Sequence, residues 1–511
     1  MSEVSVSPLP DPAHDSSNES SHGDGAFAAG GGGTGVGVGP GLAAELARIV
    51  GPAHVLTRAS ALLVYESDAL PGNQRTPGLA VFPGTRDELI AVVRCLAAAG
   101  MPFVARGAGT GLSGGALADG AVLLGVHRLK RIIAIDAEAR TAIVEPGVVN
   151  ATLTRAVTSL GLHYAPDPSS QTACTLGGNL AENAGGPHCL KYGVTLNHVV
   201  HATVVLPSGE VVELDRGDAG GYDLLGAFVG SEGCFGIAVD MTVRLTPDPQ
   251  EVITLLADFS SIRAAADATS AIIAAGILPA ALELMDQATI IAVEDSIYAA
   301  GYPRDAAAVL LIELDGATAG LRDDADAVSR LCHGSGARGV LRATDAAARS
   351  KLWQGRKKAF GAMGRVASHL VVQDAVVPRT MLAELLTEIA AIGERHGVQV
   401  CNVFHAGDGN LHPNIPYDAT NAEQSARVHA AMQEIMARCI AAGGTITGEH
   451  GVGLDKLPYM DALFTPETLD AMCTLRDVFD PERRANPGKV VPVRACKEWH
   501  GVTGTRAATN R

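Results

Sequence analysis

Residues 106–115 read R-G-A-G-T-G-L-S-G-G, and this loop decides how the first half of the chain can fold. Apolar residues with strand character precede it at 102–105 and follow it at 121–126, so the loop joins two predicted strands. Its glycines leave backbone N–H groups with no Cβ in the way, which is the chemistry that holds a pyrophosphate. The spacing is not that of G-x-G-x-x-G opening a helix, which argues against a Rossmann fold. Taken alone, the loop fits a tight structural turn as well as a cofactor cradle.

Further glycine-rich elements follow in the same half of the chain, and each places small residues where a backbone can approach a flat ligand closely. They are D-P-S-S at 167–170, T-L-G-G-N at 175–179, N-A-G-G at 183–186, K-Y-G at 191–193 and G-S-E-G at 230–233, with Gly236 and Ile237 after the last. A helix is predicted at 85–100, with Thr85 and Glu88 forming a capping box at its start, and a hairpin is predicted across P-S-G at 207–209. Together the clusters favour a cofactor that carries phosphate.

The second half carries histidines and an acid between glycine turns. A predicted strand at 398–404 ends at His405, and H-A-G-D-G-N-L-H places His412 seven residues later. The segment T-G-E-H-G supplies Glu449 and His450. Two imidazoles and a carboxylate leave coordination positions open around a divalent metal, which is typical of a catalytic site. The alternative is that these histidines are loop residues bonded to backbone carbonyls.

The composition of the chain argues against several classes of function. The formal charge of −16, without a run of Lys or Arg, argues against binding to nucleic acid or to an anionic membrane surface. The nine cysteines include no C-x-x-C pair, which indicates reduced thiols in a cytoplasmic protein and no iron–sulfur cluster in this chain. No Lys or Arg precedes Arg48, and no apolar stretch reaches the ~20 residues of a membrane helix. We expect a cytoplasmic protein without a transmembrane segment, which reaches the inner membrane only through a partner.

A chain of 511 residues is too long for one compact core. Residues 1–40 are rich in Ser, Asp, Pro and Gly and are predicted to form a disordered tail. Residues 41–248 form the predicted glycine-rich domain, 249–490 a second domain in which helices and strands alternate, and 491–511 a C-terminal tail. These patterns predict an α+β fold with two domains.

The first half resembles a known FAD-binding domain. The motifs R-G-x-G-T-x-L-S-G, D-P-S-S, T-L-G-G-N and G-S-E-G have the order and spacing found in the vanillyl-alcohol oxidase and p-cresol methylhydroxylase (PCMH) superfamily. The resemblance implies a PCMH-type domain with noncovalent FAD, because the pyrophosphate loop holds no histidine for a covalent link. It places 106–111 at the pyrophosphate, and Glu232 and Ile237 on the adenosine side. The residues expected to contact FAD are Arg106, Gly107, Ala108, Gly109, Thr110, Gly111, Ser113, Pro168, Ser169, Ser170, Thr175, Gly178, Asn179, Asn183, Gly185, Glu232, Gly236, Ile237 and Asn486.

The second half is similar to the group that comprises the FAD subunit of glycolate oxidase, D-lactate dehydrogenase (cytochrome) and D-2-hydroxyglutarate dehydrogenase. The motifs are H-x-G-D-G-N-L-H, G-E-H-G-x-G and N-P-G-K at 486–489. The likeness implies an FAD-linked oxidase C-terminal cap domain built on an antiparallel sheet with helices. In it His405, His412 and Glu449 would bind a divalent metal, with zinc as the preferred guess, and His450 would be the catalytic base.

The same resemblance implies two substrate contacts. They are Arg356, whose guanidinium fork suits a carboxylate, and Asn414. In the hydroxyglutarate branch a lysine is expected two residues before Asp374, and this position is Val372 here. The expected substrate is therefore a short D-2-hydroxy acid, D-lactate or glycolate, with D-2-hydroxyglutarate as the alternative.

The implied chemistry is hydride transfer from C2 of the acid to the flavin, while the metal lowers the hydroxyl pKa and His450 removes the proton. The chain has no nicotinamide fingerprint and no cysteine cluster, so the electrons are expected to pass to a separate acceptor: an iron–sulfur subunit, a quinone or a cytochrome. Three other hypotheses stay open at this point. They are a nicotinamide-dependent flavin reductase on the same fold, a metal-dependent hydrolase with structural glycine loops, and an inactive flavin-binding subunit. The sequence does not choose between a homodimer and a hetero-oligomer.

Overall fold

The computed structural model describes residues 38–217 and 221–491. Of the tail predicted at 1–40, residues 1–37 lie outside the described residues, and the first helix begins at Pro40. Of the tail predicted at 491–511, only Val491 is described. The described chain forms two halves, each built on sheets that helices cover.

The glycine-rich loop follows a strand of a four-stranded sheet. The strands of this sheet, in order, are Val55–Leu56, Leu79–Val81, Val122–Gly125 and Phe103–Arg106. The last three run parallel, and helix Arg86–Ala98 shares a hydrophobic core with them. Thr85 caps this helix by accepting from the N–H of Glu88 at 3.1 Å. The second contact of the predicted capping box is wrong, because the Glu88 carboxylate accepts from the N–H of Gly84 at 2.7 Å and not from that of Thr85.

A five-stranded antiparallel sheet completes the first half. Its strands, in order, are Ile132–Asp136, Thr141–Val144, Ile237–Arg244, Val199–Val205 and Val211–Asp215. Val205 pairs with Val211, which confirms the hairpin predicted across 207–209. A separate short ladder joins Leu162–His163 to Thr246–Pro247.

The second half is built on one large antiparallel sheet. Its main path runs through Ala337–Arg342, Glu251–Phe259, Ala308–Gly316, Ala281–Asp286, Cys401–His405, Asn410–Leu411 and Ala375–Val376. Pro413–Tyr417 pairs with Cys401–His405 and also with His369–Val372. The register places Glu283 directly opposite His405 on neighbouring strands, so their side chains share one face of the sheet.

Helices cover these sheets. The longer ones are Pro40–Val50, Arg86–Ala98, Asn150–Val157, Leu176–Glu182, Ile262–Ala274, Gln287–Glu294, Thr318–Gly334, Ala346–Lys357, Leu382–His396, Ala422–Ala441, Leu457–Leu463 and Pro466–Phe479. Shorter helical turns are Pro52–His54, Ala59–Leu62, Leu63–Tyr65, Thr158–Leu160, Cys189–Tyr192, Thr195–His198, Leu224–Phe228, Ala359–Met363 and Arg379–Met381. Within the described ranges, no helix combines the length and apolar character needed to cross a membrane. The predicted α+β class, with an antiparallel sheet and helices in the second half, is confirmed.

Residues beyond helix Pro466–Phe479 return to the first half. The N–H of Phe103 donates to the carbonyl of Arg484 at 2.9 Å, and the N–H of Asn486 donates to the carbonyl of Phe103 at 2.8 Å. The ammonium of Lys489, which is buried, donates to the carbonyl of Gly115 at 3.0 Å. The N-P-G-K motif therefore fastens the glycine-rich loop to its sheet.

A polar cluster joins the two halves beside helix Ala346–Lys357. His188, from the first half, contacts Asp167 through Nδ1 at 2.9 Å and Glu313, from the second half, through Nε2 at 3.3 Å. Glu313 also accepts from the indole N–H of Trp353 at 2.5 Å. Burial alone would lower the pKa of His188, but Asp167 and Glu313 outweigh it and raise the pKa to about 10. His188 is therefore a cation between two carboxylates at neutral pH.

This cluster predicts a pH-dependent contribution to stability. An unfolded histidine titrates near 6.5, so the contribution of His188 should be complete below about pH 6.5 and lost as the pH rises toward 10. His188→Gln should therefore lower the free energy of unfolding by a few kcal/mol at pH 6.5, at about 1.4 kcal/mol per pKa unit, and by much less near pH 10. Urea unfolding at several pH values measures the difference.

His163→Gln is the matched control, because His163 pairs with Asp248 at 2.9 Å near the surface, where solvent weakens an ion pair. It should leave the pH dependence of unfolding unchanged. A difference between wild type and His188→Gln that stays constant from pH 6.5 to 10 would contradict the assignment.

Candidate active site

A cavity of about 540 Å³ lies between the two halves, and both contribute to its wall. The glycine-rich loop lines it together with the D-P-S-S segment, and the second half adds a group of histidines. Of the residues predicted for FAD or catalysis, those that line it are Arg106, Gly107, Ala108, Gly109, Thr110, Gly111, Pro168, Ser169, Ser170, Thr175, Gly178, Asn179, Glu232, Gly236, Ile237, Arg356, His405, His412, Glu449 and His450. The structure thus brings most of the predicted FAD residues and the predicted metal group to one cavity.

The glycines of the loop are required by close approach. A Cβ on Gly107 would lie 2.3 Å from Oγ1 of Thr175, which caps helix Leu176–Glu182 by accepting from the N–H of Gly178. Gly109 has a φ of +69°, and a Cβ there would lie 2.2 Å from the guanidinium of Arg106. A Cβ on Gly111, in contrast, would meet nothing within 4 Å. The loop is therefore compact on one side and open at Gly111, as a cradle for a ligand must be.

The guanidinium of Arg106 has one hydrogen-bond donor at this loop that is not paired within the described residues. Its Nη2 donates to the carbonyl of Ser67 at 2.8 Å, and its guanidinium lies 5.9 Å from the ring centre of Tyr65. Its Nη1 is buried and has no hydrogen-bond partner among the described residues. Burial lowers the pKa of Arg106, and Asp68 partly offsets this effect. An orphaned cationic donor in the cavity wall fits a pyrophosphate, so the residues present fit FAD.

His405, His412 and Glu449 converge on one point. Oε1 of Glu449 lies 3.2 Å from Nε2 of His405 and 3.3 Å from Nε2 of His412. One ligand atom from each residue falls within 4.8 Å of the other two, as a shared cation requires. The two imidazoles oppose the cost of burying the Glu449 carboxylate and hold its pKa well below the ordinary value. Asp374, His412 and His450 form a second such group, so His412 belongs to both.

The other ring nitrogen of each histidine is anchored. Nδ1 of His405 lies 2.6 Å from Oε1 of Glu283, and Nδ1 of His412 lies 3.1 Å from the carbonyl of Gln373. A carbonyl can only accept, so Nδ1 of His412 carries a proton, which leaves Nε2 as the nitrogen that could bind a cation. Anchors of this kind are what metal-ligating histidines use to fix the ring and its tautomer. The donor set therefore fits a divalent metal.

His450 lies against this group with a free ring nitrogen. Its ring stacks on that of His412 with centroids 5.0 Å apart and planes 5° from parallel. Its Nδ1 is buried and has no hydrogen-bond partner among the described residues. Burial lowers the pKa of His450 to about 4, although Asp374 opposes the shift. The imidazole is neutral near pH 7 and can accept a proton.

Asp374 holds the loop that carries Glu449 and His450. Its Oδ2 accepts from the backbone N–H groups of Gly448 at 2.9 Å, Glu449 at 3.1 Å and His450 at 2.8 Å. The same oxygen accepts from the Thr447 hydroxyl at 2.6 Å and from the Lys456 ammonium at 3.1 Å. Burial would raise the pKa of Asp374, but Lys456 and the histidines bring it well below the ordinary value. The carboxylate is a buried anion that fixes the turn.

Arg356 reaches the cavity from the last turn of helix Ala346–Lys357 and is paired. Its Nε and Nη2 each lie 2.6 Å from Oε2 of Glu283, and both residues are buried. Nη1 takes no part in this contact with Glu283. Glu283 therefore uses one oxygen for Arg356 and the other for His405. Burial would raise the pKa of Glu283, but Arg356 and His405 lower it below the ordinary value.

Five predicted residues lie beside the cavity wall rather than in it: Ser113, Asn183, Gly185, Asn414 and Asn486. Asn183 accepts from the N–H of Leu196 at 2.9 Å, and a Cβ on Gly185 would lie 2.9 Å from Oε2 of Glu449. Asn486 donates to the carbonyl of Gly115 at 3.0 Å. Asn414 donates to the carbonyl of His412 at 2.5 Å, and its Oδ1 has no partner among the described residues. In this structure they support the wall instead of forming it.

Glu232, predicted at the adenosine side, lines the cavity but also binds the second half. Its carboxylate accepts from the N–H groups of Val452 and Gly453, both at 2.7 Å. Glu182 lines the cavity nearby, and burial together with Glu232 raises its pKa well above the ordinary value. Glu232 therefore links the G-E-H-G loop to the first half.

Sequence reasoning missed the roles of Glu283 and Asp374. Both are fully buried acids, and such groups are stable only when they are paired and hydrogen-bonded. A signal was present for Glu283, because it interrupts the otherwise apolar run at 272–284. For Asp374 the sequence offers only a position after the strand His369–Val372.

Comparisons with known proteins cover both halves. Residues 77–215 match the family described as "FAD binding domain", and residues 248–490 match "FAD linked oxidases, C-terminal domain". The chain is 42% identical over 442 residues to glycolate oxidase subunit GlcD of Escherichia coli (strain K12), covering 86% of this chain and 88% of that protein. It is 40% identical over 451 residues to glycolate oxidase subunit GlcD of Bacillus subtilis (strain 168), covering 87% and 96%. It is 32% identical over 437 residues to D-lactate dehydrogenase of Anaerostipes hadrus, covering 83% and 92%.

Solved structures share the fold. p-Cresol methylhydroxylase with substrate bound superimposes with a TM-score of 0.74 at 16% identity, covering 89% of this chain and 97% of that one. Alkyldihydroxyacetonephosphate synthase gives a TM-score of 0.70 at 17% identity, covering 88% and 85%. At these identities the likeness concerns the fold alone.

Proposed function

The chain belongs to the family of FAD-linked oxidases that includes glycolate oxidase subunit GlcD and D-lactate dehydrogenase, and we propose that it oxidises a short D-2-hydroxy acid to the 2-oxo acid. The family resemblance and the PCMH-type fold expected from the sequence are both confirmed. D-Lactate and glycolate are the proposed substrates. The observation that carries the proposal is that one cavity is lined by the glycine-rich loop, by Arg356 and by the group His405, His412, Glu449 and His450.

FAD, when bound, supplies the acceptor for a hydride from C2 of the acid. The chain's part is to hold it noncovalently, through the open backbone at Gly111 and the spare donor of Arg106. We assign the remaining FAD contacts to the other cavity-lining residues of 107–110, 168–179 and 232–237. We also propose residues 41–248 as the FAD domain and 249–490 as the cap domain.

The substrate is held and deprotonated by the second half. A divalent cation, zinc by preference, held by His405, His412 and Glu449 would supply a Lewis acid that lowers the pKa of the substrate hydroxyl. Arg356 would bind the carboxylate through Nη1, the nitrogen that Glu283 leaves free. His450 would take the hydroxyl proton at Nδ1, which has no partner and belongs to a neutral ring. The electrons would pass on to a separate acceptor, an iron–sulfur subunit, a quinone or a cytochrome.

Substrate size is the finer part of the proposal. Val372 lines the cavity beside Phe360, Ser368, His369 and Leu370, and by the family resemblance it occupies the position where a second carboxylate would need a cation. Val372→Lys should raise kcat/KM for D-2-hydroxyglutarate relative to glycolate by about tenfold or more, because one new charge-assisted contact contributes about 1.5–3 kcal/mol. Steady-state kinetics with the two acids measures the ratio. Val372→Met, which lengthens the side chain without a charge, is the control, and an equal change in both variants would contradict a role for charge.

An absorption spectrum of the purified protein, recorded anaerobically before and after each acid is added, tests the proposal. A flavin band near ~450 nm should bleach with D-lactate or glycolate, since the hydride goes to the flavin. Bleaching by D-2-hydroxyglutarate alone would replace the substrate with the diacid. Bleaching by a reduced nicotinamide and by none of the acids would favour the flavin reductase, and protein without flavin would overturn the proposal.

A further inference from the structure

We infer that Glu283 is a positioning residue that couples the metal ligand His405 to the substrate-binding Arg356, and this inference rests on the proposed function of both. Glu283 holds none of the roles predicted from the sequence. Its two carboxylate oxygens are divided between two functional side chains: Oε1 lies 2.6 Å from Nδ1 of His405, and Oε2 lies 2.6 Å from Nε and Nη2 of Arg356.

The fold makes this arrangement rigid. Glu283 is on strand Ala281–Asp286 and pairs directly with His405 on strand Cys401–His405, in the interior of the large sheet. Arg356 comes from the end of helix Ala346–Lys357, which packs over the same sheet face. The exposed fraction is 0% for Glu283 and 1% for Arg356, so water cannot replace either partner. Both contacts therefore depend on this one carboxylate.

The carboxylate has a distinct task at each partner. An acceptor at Nδ1 keeps a proton of His405 on that nitrogen, which leaves Nε2, 3.2 Å from Oε1 of Glu449, as the nitrogen that could bind a cation. The fork formed by Nε and Nη2 of Arg356 on one oxygen fixes the plane of the guanidinium and directs Nη1 elsewhere. A neutral amide cannot do both, because it has a single acceptor oxygen and its nitrogen only donates.

Zinc binding tests this coupling without a turnover assay. In Glu283→Gln, the guanidinium of Arg356, which only donates, should take the amide oxygen, and the amide nitrogen should then face Nδ1 of His405 and reverse its tautomer. The affinity of the purified flavoprotein for Zn²⁺ alone, measured by competition with a chromophoric chelator, should fall about 10–100-fold. Adding Arg356→Met frees the amide oxygen to turn toward His405, so the double variant should regain most of the lost affinity. Arg356→Met alone should not weaken Zn²⁺ binding.

Asp286→Asn is the matched control, because Asp286 is a buried acid on the same strand that accepts from Thr289 and Asn402 instead. It should leave Zn²⁺ affinity unchanged. Wild-type affinity in Glu283→Gln, or no recovery in the double variant, would overturn the coupling. If wild type itself binds no Zn²⁺, the proposed metal site fails, which is a separate result. Should Glu283→Gln not fold, Glu283→Asp with and without Arg356→Met carries the same test, because the shorter acid cannot span both partners.

Discussion

Replacing His450 by glutamine should lower kcat for the 2-hydroxy acid by about 10²–10⁴-fold, the range that a positioned general base contributes. Glutamine is similar in reach, but it cannot accept a proton to form a stable cation. Because the lost interaction acts on the reacting proton, kcat and kcat/KM should fall together while KM changes little. Steady-state kinetics and the rate of flavin bleaching in a single turnover measure the effect.

The prediction separates the base from the other histidines. Flavin content and Zn²⁺ affinity of His450→Gln should match wild type, since the proposed ligands are His405, His412 and Glu449. His201→Gln is the control, because His201 pairs with Glu213 at 2.9 Å on the five-stranded sheet, away from the cavity wall. A His450→Gln enzyme that keeps more than about a tenth of the wild-type kcat would exclude His450 as the base, because loss of a general base lowers kcat by more than that.

The fold could be predicted from the sequence where a local rule decides it. Strands before and after the glycine-rich loop, the capped helix Arg86–Ala98 and the hairpin across 207–209 all follow from residue patterns within about ten positions. The capping box shows the limit of such a rule: Glu88 satisfies the N–H of Gly84 because that donor is also within reach of its carboxylate. Motifs also located the cavity, since most of the motif residues line it.

The relation between residues distant in sequence could not be predicted in the same way. Glu283 and His405 are 122 positions apart and meet only because two strands pair in one register. Asp374 and His450 are 76 positions apart and meet through a backbone N–H, which leaves no trace in side-chain identity. Likewise, the N-P-G-K motif could be assigned to the FAD site from its likeness, but Lys489 contacts the carbonyl of Gly115 across the fold. Such contacts depend on sheet topology, which local patterns do not encode.

The same distinction explains the five predicted residues that lie beside the wall. Asn183 and Gly185 belong to a glycine-rich motif whose backbone comes close to other elements. The motif therefore predicts that this segment lies near the cavity, but not which of its residues line the wall. Asn414 alternates with its neighbours along strand Pro413–Tyr417, and its carboxamide is fully buried against the carbonyl of His412. A strand residue changes face with each position, so one residue of register decides whether it lines a cavity.

Asp374→Asn should lower kcat by about 10²-fold. The substitution should displace the turn that carries Glu449 and His450, and small displacements of catalytic groups carry costs of that size. Five donors share one oxygen of the Asp374 carboxylate, three of them backbone N–H groups of the turn that carries Glu449 and His450. An asparagine has one acceptor oxygen and no charge, so the turn should relax and the ammonium of Lys456 should lose its counter-ion. Breaking a buried pair in this way should lower the free energy of unfolding by about 3–5 kcal/mol.

Lys456→Met in the Asp374→Asn background separates the loss of stability from the loss of kcat. Lys456 is buried and bonds to Asp374 at 3.1 Å, so removing both charges should restore much of the lost unfolding free energy, a coupling that a double-mutant cycle measures. The rate should stay low in the double variant, because the N–H groups of Glu449 and His450 still lack a charged acceptor. If kcat recovers together with stability, Asp374 acts only through the ion pair. If Asp374→Asn keeps the wild-type kcat and Zn²⁺ affinity, the turn is held by other contacts, and the carboxylate has no part in aiming the base.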